Sequence, residues 1–169
     1  GQTGLQNLVG SGVLQFGAEK VTSYEVGGKF SLRGFNFNVS AFREEFSNFQ
    51  LNTFNGSNYI VQNINGCKNL IGGSDADTDT SATTGSCAKG DVTYGVLAQG
   101  VELEANVSPV RYVQFNAGLT YASTKYRKDL VGSATGLPLD PALRVLPGKQ
   151  ISNAPKIVTT ASFSWSPPI

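Results

Sequence analysis

The feature that most limits what this chain can fold into is a period-two alternation of apolar and polar residues, sustained over unusually long segments. From Ser23 to Leu32, Tyr24, Val26, Phe30 and Leu32 share one side with Gly28, and Ser23, Glu25, Gly27, Lys29 and Ser31 take the other. From Phe35 onward, Phe35, Phe37, Val39 and Ala41 oppose Asn36, Asn38 and Ser40. Between Val96 and Val107, Leu97, Val101, Leu103, Ala105 and Val107 oppose Gly100, Glu102, Glu104 and Asn106. The pattern returns from Tyr112 to Tyr126 and from Lys156 to Trp165. Successive side chains of a strand point to opposite sides, so each segment reads as a strand with one apolar and one polar face. In the second segment the parity slips at Phe42 and Phe46, which requires either a bulge or a strand leaving its apolar surroundings. The short apolar run Tyr59–Ile64 reads as the upper part of the third strand.

Alternation alone also fits a soluble β-sandwich. Three further observations favour a membrane barrel. The segments run to ten residues or so, against about 5–6 for an ordinary strand, and a tilted membrane-crossing strand needs about 9–11. The connections alternate strictly between short and long: Arg33-Gly34 and the Pro109 turn are tight, whereas Asn52–Val96 and Arg127–Pro155 are long and polar. Outer-membrane barrels have short periplasmic turns and long extracellular loops. Finally, Phe35, Phe37, Tyr112, Phe115, Phe163 and Trp165 all fall near the short-turn ends, where an interfacial aromatic girdle is expected.

Composition excludes several classes. Charged residues are only 15% and hydrophobic residues 40%; Gly, Ser, Thr and Asn fill the rest, which suits turn-rich β-structure and not a disordered chain. The net charge of +1 offers no basic excess for nucleic acid. No stretch of about 18 apolar residues exists to make a transmembrane helix, which says nothing against strands. The absence of His removes His-based triads and the commonest metal ligand.

Cys67 and Cys87 lie in a polar segment. In an oxidising compartment they are expected to form a disulfide, stabilising the loop by about 3 kcal/mol in the chain-entropy model.

Several pieces of the sequence resemble the late strands of TonB-dependent receptors, in the family's order. They are Ser23-Tyr-Glu-Val-Gly-Gly-Lys-Phe30 with Val39-Ser-Ala-Phe-Arg-Glu-Glu-Phe-Ser-Asn-Phe-Gln50, then Val61-Gln-Asn-Ile-Asn65, Gln99-Gly-Val-Glu-Leu-Glu-Ala-Asn106, Asn116-Ala-Gly-Leu-Thr-Tyr121 and Asn153-Ala-Pro-Lys156. The resemblance spans roughly residues 20–166. It departs at Gly66 to Thr93, an insertion holding both cysteines where relatives pass directly into the Gly-Val-Glu-Leu-Glu strand. The resemblance implies an all-β, antiparallel transmembrane barrel of about 22 strands with a plugged lumen. This chain, residues 1–169, would supply about five consecutive strands, the plug domain lying in sequence not included here. Five strands are too few to close a barrel. The lack of Met and the start at Gly1 are expected of a piece of a longer chain or of a processed one.

No residue is expected to be catalytic, and no cofactor is implied. Glu44 and Glu45 are neighbours on a strand and point to opposite faces, unlike a glycosidase pair. Asp75, Asp77 and Asp79 have the spacing of a calcium loop. However, Thr80 stands where such a loop has Gly and Ser86 where it has a bidentate Glu, leaving a weak calcium candidate at best. Asn38-Val-Ser40, Asn55-Gly-Ser57 and Asn106-Val-Ser108 match a glycosylation triplet by coincidence. The polar-face charges Glu25, Lys29, Glu102 and Glu104 are expected to line the lumen, paired with one another or with the plug.

The expected function is uptake of a scarce solute (a siderophore–iron complex, cobalamin, a carbohydrate or similar) across the Gram-negative outer membrane. The partners are outer-membrane lipid, the small-molecule substrate and the TonB energy-transducing complex, reached through the plug; no nucleic acid is involved. The alternatives are a passive porin or surface adhesin barrel, and a soluble secreted β-sandwich binding protein.

Overall fold

The computed structural model of this chain describes residues 17–54, 57, 59–72 and 85–167. The chain divides into two compact units whose segments interleave along the sequence. One comprises Val21–Glu45, Val96–Tyr126 and Gly148–Ile169, the other Gly1–Lys20, Phe46–Gly95 and Arg127–Pro147.

The first unit is built on a five-stranded antiparallel sheet. Its strands are β1 (Lys20–Leu32), β2 (Phe35–Ser47), β6 (Val96–Val107), β7 (Val113–Tyr126) and β9 (Ile157–Trp165), ordered β1-β2-β6-β7-β9. Sheet neighbours thus follow one another along the chain, with the intervening sequence leaving and returning between them. Four of the five strands have 12 to 14 residues and β9 has nine. The ladder between β6 and β7 is continuous from Val96↔Tyr126 to Val107↔Phe115, and that between β7 and β9 from Val113↔Trp165 to Tyr121↔Ile157. The outer edges of β1 and β9 carry no further strand of this sheet among the described residues.

Two short turns close one end. Arg33-Gly34 joins β1 to β2, with Gly34 at φ 76°, a left-handed conformation that costs a side-chain-bearing residue energy and glycine little. The segment Ser108–Tyr112 joins β6 to β7. The Ser108 N–H donates to the Gly34 carbonyl at 2.7 Å, and the Ser166 N–H, just past β9, donates to the Tyr112 carbonyl at 3.0 Å. The short turns are therefore fastened to one another and to the end of β9 by main-chain bonds.

β2 runs from Phe35 to Ser47, through the position where the parity slips. Phe42 lies on the polar face: a Cβ built on Gly100 of β6 would come within 2.8 Å of its ring.

The second unit corrects one expectation. The run beginning at Tyr59 is not the top of the third strand. It forms its own strand, β4 (Tyr59–Cys67), which pairs with β3 (Phe49–Phe54) from Phe49↔Ile64 to Phe54↔Tyr59. β4 then pairs with the two-residue strands β5 (Val92–Thr93) and β8 (Leu130–Val131). Ile64, Cys67, Cys87, Leu130, Val131, Leu139 and Leu143 are buried in this unit, a small core between β4 and the chain segments on either side of it. Cys67 and Cys87 are joined in a disulfide with a Cα–Cα separation of 6.0 Å, within the usual range, and pack against Val131, Leu70 and Val92.

Candidate functional site

The functional surfaces are the two faces of the five-stranded sheet. The cross-strand register places Val113, Phe115, Ala117, Leu119 and Tyr121 of β7 opposite Trp165, Phe163, Ala161, Thr159 and Ile157 of β9, and Val101, Leu103, Ala105 and Val107 of β6 in the same rows. Ring contacts reinforce it: Phe115 of β7 and Phe163 of β9 have centroids 4.9 Å apart, and on the first two strands Phe30 and Phe37 lie 6.3 Å apart. Large apolar side chains stand open on it, with Val26 73%, Leu32 72%, Trp165 65% and Phe163 60% exposed. An apolar surface this wide marks contact with protein or lipid and is not tolerated against water.

The apolar face has a sharp upper limit. On β2 the residues following Ala41 on the same face are Arg43 and Glu45, and they form an ion pair of 2.9 Å. Arg43 Nη1 also donates to Gln99 Oε1 of β6 at 3.3 Å, and Gln99 sits one row beyond Val101, opposite Ser123. Across three strands the same row changes from apolar to polar. From Val113 to Tyr121 the band covers about 27 Å of strand at ~3.4 Å per residue. At a tilt of ~40° this projects to about 20 Å, close to the ~25 Å apolar band of an outer-membrane barrel.

The opposite face is polar. Asn38 Nδ2 donates to Glu104 Oε2 at 3.2 Å, and Asn116 Nδ2 donates to Ser162 Oγ at 3.0 Å. A depression of about 420 Å³ is lined by Glu25, Lys29, Asn38, Ser40, Glu102 and Glu104 around Gly27 and Gly28. A second, of about 300 Å³, is lined by Ser23, Glu25, Ser40, Phe42, Glu44 and Glu102. The four charges singled out in the sequence therefore gather in one place. Glu44 belongs with them, whereas Glu45 lies on the other face with Arg43, as strand geometry requires.

The unit around β4 contributes a compact loop assembly. The Arg127 guanidinium lies 4.8 Å over the Tyr94 ring. The Cys87 N–H donates to the Gly136 carbonyl at 2.8 Å, and the Gly132 N–H to the Leu137 carbonyl at 2.7 Å. Gln62 Oε1 accepts from the Asp140 N–H at 3.0 Å. The segment 127–147 is thus tied to β4 by side-chain as well as main-chain bonds. Sequence reasoning missed this because the partners are far apart and the strands involved are as short as two residues. It also missed that Arg33 and Arg111, from the two short turns, line one cavity.

Asp75, Asp77 and Asp79 lie outside the described residues. Among the described residues no group of three or more His, Cys, Asp or Glu is placed to hold a metal ion, and no helix is long and apolar enough to cross a membrane.

The family described as TonB dependent receptor-like, β-barrel, matches this sequence over residues 3–168. The chain belongs to that family. TonB-dependent receptors are outer-membrane transport proteins of Gram-negative bacteria, and the two-faced sheet, the length of its strands and the charge row at Arg43 are those of a wall segment of such a receptor. No curated protein and no solved structure matches the chain.

Proposed function

We propose that this chain is part of the wall and outer mouth of a TonB-dependent receptor that takes up a scarce solute by energised transport across the outer membrane. The observation that carries this reading is the sheet with one lipid-compatible face and one polar, charge-bearing face, in a chain of the TonB-dependent receptor β-barrel family. Backbone groups facing lipid must be paired, so the outer edges of β1 and β9 require further strands to complete a barrel. A plug domain would fill the lumen and recruit the TonB complex. The short turns would face the periplasm, and the β3–β4 hairpin with the disulfide-clamped segment would face the outside and meet the solute. No covalent chemistry is required of any residue.

The test is uptake in a strain lacking the gene, complemented with the full-length receptor. Panels of iron chelates, cobalamin and oligosaccharides serve as sole limiting nutrient, with TonB present or deleted. Growth that needs both the receptor and TonB supports the reading. Growth that needs the receptor but not TonB means a passive pore, and no growth phenotype with strong cell-surface adhesion means an adhesin.

A further inference from the structure

The short-turn end of the sheet holds a cavity of about 650 Å³ that the transport reading leaves without a role. Arg33 from the β1–β2 turn and Arg111 from the β6–β7 turn both line it, and among the described residues no Asp or Glu does. Its remaining wall is mixed: Ser108, Gln114, Ser164 and Ser166 supply hydroxyl and amide groups, and Pro109, Val110, Tyr112 and Val113 supply apolar ones. Gln114 and Ser164 are opposite each other in the β7–β9 ladder and belong to the polar face, so one side of the cavity is polar, while Val113 of the apolar face closes the other. The rim is firmly built, because the main-chain bonds Ser108–Gly34 and Ser166–Tyr112 join the turns that frame it.

Tyr112 adds an independent sign. It adopts φ 69°, a conformation rare for a bulky side chain and one that clusters at functional sites. In that strained turn, closed by a Val113 N–H to Val110 carbonyl bond of 3.2 Å, the Arg111 guanidinium lies 5.0 Å over the Tyr112 ring. The ring restricts the guanidinium while leaving its N–H groups to meet an acceptor.

We propose that this cavity binds an acidic peptide segment at the periplasmic mouth of the barrel. Two guanidiniums with no carboxylate among them select an anion, and Arg forms matched bidentate bonds to carboxylates. A single oxyanion would fill only a small part of a cavity of this volume, whereas a few extended residues suit it. Gln114 and the serine hydroxyls supply donors and acceptors for a peptide backbone. A lipid phosphate is less well matched, because it would leave the Gln114 and Ser164 side of the wall, on the polar face, without a backbone to meet.

The inference rests on the short turns facing the periplasm, so that orientation is measured separately. Val110→Cys in the full-length receptor is expected to react with a membrane-impermeant maleimide only after the outer membrane is permeabilised. Labelling in intact cells would overturn the orientation, and with it this proposal. The site itself is tested by placing a photo-crosslinking amino acid at Ser166 of the full-length receptor in cells and mapping the adducts by mass spectrometry. The expected result is an adduct on a peptide with Asp or Glu within a few residues of the attachment point. Its yield should fall roughly tenfold in Arg33→Gln/Arg111→Gln, as expected when two charge contacts are lost, and by only about threefold in Arg33→Lys/Arg111→Lys, which keeps both charges and loses the paired N–H geometry. Adducts on lipid alone, adducts on peptides without acidic residues, or equal yield in the Gln variant would each overturn the proposal.

Discussion

Asn65 holds Asn48 by both ends of its side-chain amide: its Oδ1 accepts from the Asn48 N–H at 2.8 Å, and its Nδ2 donates to Asn48 Oδ1 at 2.8 Å. Asn48 separates β2 from β3 and sits at φ 54°, a conformation that Asn tolerates better than most residues. Its carbonyl also accepts from Asn63 Nδ2 at 2.8 Å. Asn65 is itself 2% exposed, so these bonds replace water that cannot reach it. The bend that turns β2 into β3 is thus specified by two side chains of β4.

Asn65→Ala is therefore expected to destabilise the β3–β4 hairpin by about 2–3 kcal/mol, through lost bonds and groups left unpaired at the bend. Hydrogen exchange of the full-length receptor should show faster exchange at Phe49–Cys67 and unchanged protection along β6 and β7. Unchanged exchange in the hairpin would mean that the bend is held by something else.

Reducing Cys67–Cys87, or replacing both cysteines with Ser, removes a bridge between residues 20 apart in sequence. The expected loss is about 3 kcal/mol of loop stability. Because the sulfurs lie in a cluster with Val131, Leu70 and Val92, the damage should reach the segment around Val131 as well. Limited proteolysis of reduced and oxidised receptor checks this. New cleavage confined to residues 68–91 and 127–147, with β7 and β9 intact, is the expected pattern.

The assignment of the two faces is testable on one strand. Ala117 lies mid-way along the apolar face of β7, and Thr120 lies on the polar face. Ala117→Arg should cost about 2–4 kcal/mol of folding stability in a bilayer, the penalty for a lipid-facing charge at mid-depth. Thr120→Arg should cost far less. Urea titration of receptor refolded into vesicles measures both, and equal penalties would mean that the faces are not lipid and lumen.

A Cβ at Gly100 would meet the Phe42 ring and the Tyr121 carbonyl. Gly100→Ala is expected to destabilise the β2–β6 region by about 1–3 kcal/mol, as overpacking does. Phe42→Ala in the same chain should recover only part of the loss, since the Tyr121 carbonyl cannot withdraw as a ring can. A double-mutant cycle by thermal unfolding measures the recovered share.

The sheet could be read from sequence to within a few residues per strand, because lipid on one side and a polar lumen on the other impose strict alternation. The same rule explains the parity slip. Past Ala41 the apolar face has reached its limit, so Arg43 and Glu45 occupy it and Phe42 turns to the polar side beside Gly100. The charges of the polar face could be grouped for the same reason. The loop unit could not be read this way. Its strands β5 and β8 are two residues long, too short to show any period. β4 resembles a continuation of the barrel because it is apolar, and its partners Val92 and Leu130 lie far along the chain. The rim cavity escaped because arginines in turns look like ordinary solvated residues until the turns are seen bonded together.

The strand order β1-β2-β6-β7-β9 keeps sheet neighbours consecutive, and each long excursion departs from one strand and re-enters at the next. The register of the wall is then fixed by its own ladders and by the short turns, while the excursions carry a separate core and their own covalent clamp. A lineage can lengthen, shorten or replace such an excursion without shifting a single pair in the wall.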